Sequence, residues 1–146
     1  MTRRRTYLDA NVLIAAWNGD DESRAWARAV LDDPERHFLT SDFVRLEVLP
    51  KPGYCRRPVE VAFMQAILSI AEDVPVTGAV AQHALVLAAR HDIAPLDALH
   101  LAAAAAGAAD EVVTFERPEK PMCRQTEISV ISLRAIRDEA HVGGAD

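Results

Sequence analysis

Apolar residues fall along this chain in two kinds of run. Short β-prone runs at 6–8, 37–40, 74–77, 111–115 and 128–132 predict five strands. Longer runs carry apolar side chains at three- and four-residue spacing and predict helices between them. The first helix covers 11–17 and stops at Asn18-Gly19-Asp20. Ser23 caps a second, with Trp26, Ala29, Val30 and Leu31 on one face and Asp33-Pro34 at its end. Ser41 or Asp42 caps a third, which buries Val44, Val48 and Leu49 and is stopped by Pro50 and Pro52. The stretch K-P-G-Y-C-R-R reads as a loop. Pro58 then opens a long helix with Val61, Met64, Ile67, Leu68 and Ala71 inward. Further helices follow at 79–90, at 95–106 with Gly107 as terminator, and at 133–139.

Strands alternating with helices predict an α/β fold, a three-layer α/β/α sandwich around a mostly parallel sheet of about five strands. No linker or repeat interrupts the 146 residues, so residues 1–146 read as one domain with its core at about 6–132. The formal net charge of −6 disfavours a simple DNA-binding module, which needs a basic surface. The two cysteines, Cys55 and Cys123, are far apart with no histidine at ligand spacing, which argues against zinc and for a reducing cytoplasm. The apolar run after M-T-R-R-R-T is broken by Asp9 and Asn11, too soon for a signal segment or a membrane span. A cytoplasmic protein with no membrane partner is expected.

The sequence Y-L-D-A-N-V-L-I raises the chemical question. Asp9 stands where a strand enters the core, and a buried carboxylate is costly unless paired, hydrogen-bonded or bound to metal. In open α/β sheets, sites form beyond the carboxyl ends of the strands where the strand order reverses. Asp9 follows the first strand, Glu47 lies in the helix after the second, Asp97 in the first turn of the alanine-rich helix, and Glu116 after the fourth strand. Each has an ordinary alternative. Asp9 can cap a helix, Glu47 can be a solvated side chain, Asp97 suits the helix dipole, and Glu116 can be a surface acid beside Arg117. His100, one turn after Asp97, reads first as a structural helix histidine. Together the four acids make a candidate catalytic cluster.

The order Y-L-D-A-N-V-L-I, S-D-F-V-R-L-E-V-L, P-L-D-A-L-H-L-A-A-A-A, V-V-T-F-E resembles a PIN-domain nuclease, and most of all the small VapC-type toxins of prokaryotic toxin–antitoxin pairs. The likeness runs from about residue 6 to 132, and D-x-N-x-L-I and D-A-L-x-L-A are its specific motifs. It implies a Mg²⁺- or Mn²⁺-dependent ribonuclease with Asp9, Glu47, Asp97 and Glu116 as catalytic acids and Asp9 and Asp97 as metal ligands. Asn11 and Thr114 would orient the acids through hydrogen bonds. Members commonly carry aspartate at the fourth position, and Glu116 departs from that. A homodimer and a cognate antitoxin are the implied protein partners.

Hard carboxylate oxygens suit Mg²⁺ or Mn²⁺, and such an ion aids an in-line attack of water on phosphorus. No Gly-rich phosphate loop occurs, and Asn11 stands where a haloacid-dehalogenase-like phosphatase needs a second aspartate. Two basic loops are candidate RNA contacts: Tyr54, Arg56 and Arg57 in one, Arg117 and Lys120 in the other. Two other readings remain open: a PIN-type nuclease of RNA processing or DNA without an antitoxin, and a protein-binding module with a decayed site. In the latter a partner would cover the face around Trp26, Val30, Phe63 and Ile67.

Overall fold

A computed structural model describes residues 2–143. Five strands form one sheet: β1 (Arg4–Leu8), β2 (Arg36–Thr40), β3 (Glu72–Asp73), β4 (Glu111–Thr114) and β5 (Val130–Ser132). The order is β3-β2-β1-β4-β5 and every pairing is parallel. The connections carry the helices α1 (Ala10–Asn18), α2 (Asp21–Leu31), α3 (Asp42–Val48), α4 (Pro50–Tyr54), α5 (Pro58–Ile70), α6 (Gly78–His91), α7 (Pro95–Ala106) and α8 (Pro121–Arg124), with α9 (Leu133–Gly143) closing the fold. This is the α/β/α sandwich that the alternating pattern predicts. Parallel strands need such crossovers, and helices on both faces leave the central strands buried. Tyr7, Leu8, Leu39, Val112 and Val113 are all at most 2% exposed.

The chain builds outward from β1 to β2 and β3, then crosses back to add β4 and β5 on the other side. The reversal falls between β1 and β4, paired through Tyr7↔Val112 and Leu8↔Val113. The carboxyl ends of these two strands are therefore the switch point where a ligand crevice belongs.

Several boundaries differ from the sequence reading. The third strand is Glu72–Asp73 rather than 74–77. Val74 lies just past it, buried at 3%, with its N–H bonded to the Thr40 carbonyl. Its apolarity thus reports burial against the sheet rather than strand membership. The third helix ends at Val48, just ahead of Pro50 as expected, but Pro50 also starts the short α4, since proline at the first helical position loses no hydrogen bond. Asp20, not Ser23, caps α2: its carboxylate accepts the Ser23 N–H at 2.7 Å. On that helix Ala27 and Val30 are buried while Ala29 is exposed. Gly107 does end α7, with φ −83°, and the left-handed turn falls on Ala108 at φ 52°. Its glycine identity answers a space requirement, because a Cβ there would lie 2.6 Å from Leu39 Cδ2 and 2.7 Å from Val74 Cγ2.

Candidate active site

Asp9 directly follows β1 and occupies the N-cap position of α1, but its side chain makes no capping bond. The residue is 4% exposed. Its Oδ2 accepts the Thr114 hydroxyl at 2.8 Å, a bond that spans the ends of β1 and β4. Thr114 Oγ1 in turn accepts from the Glu116 N–H at 3.0 Å and from Asn11 Nδ2 at 3.2 Å. Asn11 Oδ1 accepts the Phe115 N–H at 2.9 Å. One hydroxyl and one amide thus fix the loop after β4 against the start of α1, hold the Asp9 carboxylate and anchor the Glu116 backbone. This is the orienting position that the sequence reading gave Asn11 and Thr114.

Glu47 arrives from α3 and meets a residue that sequence reasoning set aside. His100, on α7 and 1% exposed, places Nε2 2.6 Å from Glu47 Oε1 and 3.7 Å from Asp9 Oδ1. Asp9, Glu47 and His100 each offer a ligand atom within 4.8 Å of the other two, and theirs is the one such group among the described residues. Only the spacing of His100 one turn after Asp97, facing the same crevice, pointed to it in the sequence.

Asp97 and Glu116 stand outside this tight triad but inside its field. Burial raises the Asp97 carboxyl above the ordinary aspartate range, and the charges of Asp9 and Glu116 raise it further. Burial likewise raises Asp9, opposed by His100 and the Thr114 hydroxyl and reinforced by Glu47 and Glu116. Glu116 pairs with Lys120 at 3.2 Å. The Cys123 thiol, half-buried on α8, is pushed up to about 11 by burial and then by Glu116, Asp97 and Asp9. Asp9 thus feels the charges of Glu47 and Glu116, and Asp97 those of Asp9 and Glu116, so carboxylates from four separate elements act on one another.

The basic loops separate. Lys120 lies against the acids through Glu116, with Arg117 beside it on the same loop. Tyr54 is 90% exposed at the end of α4. Arg56 and Arg57 line a different groove with Pro52, Gly53, Pro58 and Val61, one that includes none of the four acids. Of the face around Trp26, Val30, Phe63 and Ile67, Val30 belongs to the core at 4% exposure. Phe63 and Ile67 line a groove of about 390 Å³ between α2 and α5, together with Arg28, Leu31 and Ile70.

The donor set fits a hard divalent cation: carboxylate oxygens dominate it, and their mutual repulsion leaves charge for a cation to neutralise. Fold and site together define an α/β domain with a carboxylate pocket at the switch point of a parallel sheet. The PIN domain model matches residues 6–117, and the chain belongs to that family. Solved structures share the fold. VapBC2 from Rickettsia felis bound to a promoter DNA fragment is similar at TM-score 0.67 and 16% identity, over 88% of this chain and 98% of that one. VapBC-1 from nontypeable Haemophilus influenzae is similar at TM-score 0.66 and 14% identity, covering 89% and 98%. A toxin–antitoxin complex from Klebsiella pneumoniae gives 0.65 and 18%, covering 88% and 97%. No curated relative matches by sequence. Among the described residues no helix is long and apolar enough to cross a membrane.

Proposed function

We propose that this PIN-domain protein is a metal-dependent endoribonuclease, the toxin of a toxin–antitoxin pair, acting in the cytoplasm as a homodimer. The observation that carries the chemistry is Asp9, a carboxylate buried to 4% exposure whose one basic neighbour at ion-pair distance among the described residues is the His100 ring, at 3.7 Å. Family membership makes the nuclease reading the natural use of such a site, and the toxin–antitoxin structures of the same fold support the biological role.

In this reading Asp9 and Asp97 hold Mg²⁺ or Mn²⁺, with Glu47 and Glu116 completing the acid set. The bound ion supplies charge stabilisation at the phosphate and lowers the pKa of a coordinated water. The chain supplies position. Thr114 and Asn11 fix Asp9, and the Glu116 N–H is tied to the same hydroxyl. Lys120 and Arg117 meet the phosphate backbone at the rim, and Tyr54, Arg56 and Arg57 are a more remote candidate contact. The α2–α5 groove, lined by Leu31, Phe63, Ala66, Ile67 and Ile70 together with Arg28 and Asp32, would seat an apolar antitoxin segment.

Cleavage of defined RNAs by the purified protein with Mg²⁺ or Mn²⁺, against Asp9→Asn and Asp97→Asn, tests this. Cleavage by wild type alone is expected. Equal cleavage by the variants, or none by any form in either metal, refutes it.

A further inference from the structure

Glu47 belongs to a short helix and faces solvent, so nothing on its own element holds a three-torsion side chain toward Asp9. What holds it is a buried polar chain that begins at the other end of the same helix. Ser41 stands at the N-cap of α3 but makes no side-chain capping bond. Its hydroxyl is 2.7 Å from the Tyr7 hydroxyl, which is 2.9 Å from His100 Nδ1, and His100 Nε2 is 2.6 Å from Glu47 Oε1. Ser41, Tyr7 and His100 are each at most 1% exposed. The Phe43 ring meets the imidazole edge-on at 6.3 Å and walls it in.

A carboxylate only accepts, so Nε2 carries the proton and donates to Glu47. A neutral imidazole then has one arrangement that uses every group: Ser41 donates to Tyr7, Tyr7 donates to Nδ1, and Nε2–H donates to Glu47. The outer partner of the imidazole fixes its tautomer, and the tautomer fixes what faces the acid.

We propose that His100 is a positioning residue that holds Glu47 in the acid cluster, with the Tyr7–Ser41 hydroxyl pair setting its tautomer. This rests on the nuclease reading for the purpose of Glu47, but not for the geometry. The imidazole acts as a donor to a ligand rather than as a ligand. His100→Ala therefore releases Glu47 to solvent, whereas His100→Gln restores a donor that reaches Oε1.

The test is Mn²⁺ binding by titration calorimetry, with thermal unfolding of each variant in parallel. His100→Ala is expected to weaken Mn²⁺ binding about 10- to 100-fold, the usual effect of losing an outer-shell partner. His100→Gln should return to within about threefold of wild type, with Tyr7→Phe intermediate. Where His100→Ala does not fold, His100→Asn replaces it, since its amide is too short to reach Glu47. Wild-type affinity in folded His100→Ala or His100→Asn overturns the proposal, as does a failure of His100→Gln to exceed them. RNA cleavage separates the two readings. Mn²⁺ uptake that follows this order without RNA cleavage supports the positioning role and refutes the nuclease. Cleavage lost in Asp9→Asn but unchanged in His100→Ala does the reverse. In cleavage assays the effect should fall on kcat, with the KM for RNA unchanged.

Discussion

The Thr114 hydroxyl donates to Asp9 Oδ2 at 2.8 Å, joining the ends of the two strands between which the sheet reverses direction. Both residues are buried, Thr114 fully and Asp9 to 4% exposure, so the bond is made without competition from water. It also organises the loop that follows, because the same hydroxyl receives the Glu116 N–H and the Asn11 amide.

Thr114→Val keeps the shape and removes the hydroxyl. Three groups then lose their partner, and an unsatisfied buried group costs about 1–3 kcal/mol. A fall in unfolding free energy of about 2 kcal/mol is expected, with Mn²⁺ affinity down roughly tenfold. Denaturant unfolding and calorimetry check both. A variant as stable and as tight in metal binding as wild type would show that Thr114 does not support Asp9.

Glu111 provides a contrast at the opposite end of β4. It is 3% exposed, accepts the Thr6 hydroxyl at 2.9 Å and Arg36 Nε at 3.1 Å, and pairs with Arg4 at 3.5 Å. Removing one partner of a buried ion pair strands the others, at about 3–5 kcal/mol. Because Arg4 is more than half exposed, the lower end applies. Glu111→Ala is expected to lower stability by about 3 kcal/mol while Mn²⁺ affinity stays within twofold of wild type. A large loss of metal binding at unchanged stability would contradict the separation of framework from site.

The fold was legible wherever a run had one period and one clear stop. The α/β alternation and the placing of Asp9 after β1 and Glu116 after β4 follow from local pattern plus the switch-point rule, whereas the orienting role of Asn11 and Thr114 came only with the family likeness. Other features were decided by tertiary contact and left no local trace. Val74 to Thr77 looks like a strand, yet the pairing with β2 is made one step earlier by the charged Glu72 and Asp73. Asp73 then meets Arg45 at 2.6 Å, a contact that no periodicity encodes. His100 looks like any helix histidine until Tyr7, Ser41 and Glu47, distant in the chain, are placed around it. Arg56 and Arg57 illustrate the converse: though near Glu47 in sequence, they line a groove that includes none of the four acids.

The basic rim yields a salt test. Lys120 pairs with Glu116 at 3.2 Å, and Arg117 shares its loop. Each phosphate contact to single-stranded nucleic acid steepens the log–log dependence of affinity on salt by about 0.7. Arg117→Ala is expected to raise the KM for RNA several-fold and to shallow that slope by about 0.7, with kcat unchanged. Arg56→Ala, farther from the acids, should do less. The reverse ranking would move the RNA path to the α4–α5 side of the molecule.

The carboxylates also set how stability depends on pH once divalent metal is removed. Asp9 and Asp97 both titrate above the ordinary aspartate range, each mainly through burial, and Asp97 also through the charges of Asp9 and Glu116. The folded protein therefore binds these protons more tightly than the unfolded chain, whose aspartates titrate near about 3.9. Stability from this source is fully present below that pH and is lost as pH rises through the raised folded values. In chelator at neutral pH both sites impose their full penalty, so Asp9→Asn should melt above wild type. The gap should close as the pH approaches about 4. Saturating Mn²⁺ should reverse the order, since an ion at a hundred times its dissociation constant adds about 2.7 kcal/mol to the form that binds it. Thermal unfolding between about pH 4 and 8, with chelator and with Mn²⁺, measures all of this. An Asp9→Asn protein that melts below wild type in chelator at neutral pH would mean that the buried carboxylate is fully satisfied by Thr114 and His100. In that case the cluster stores no repulsion for a cation to relieve.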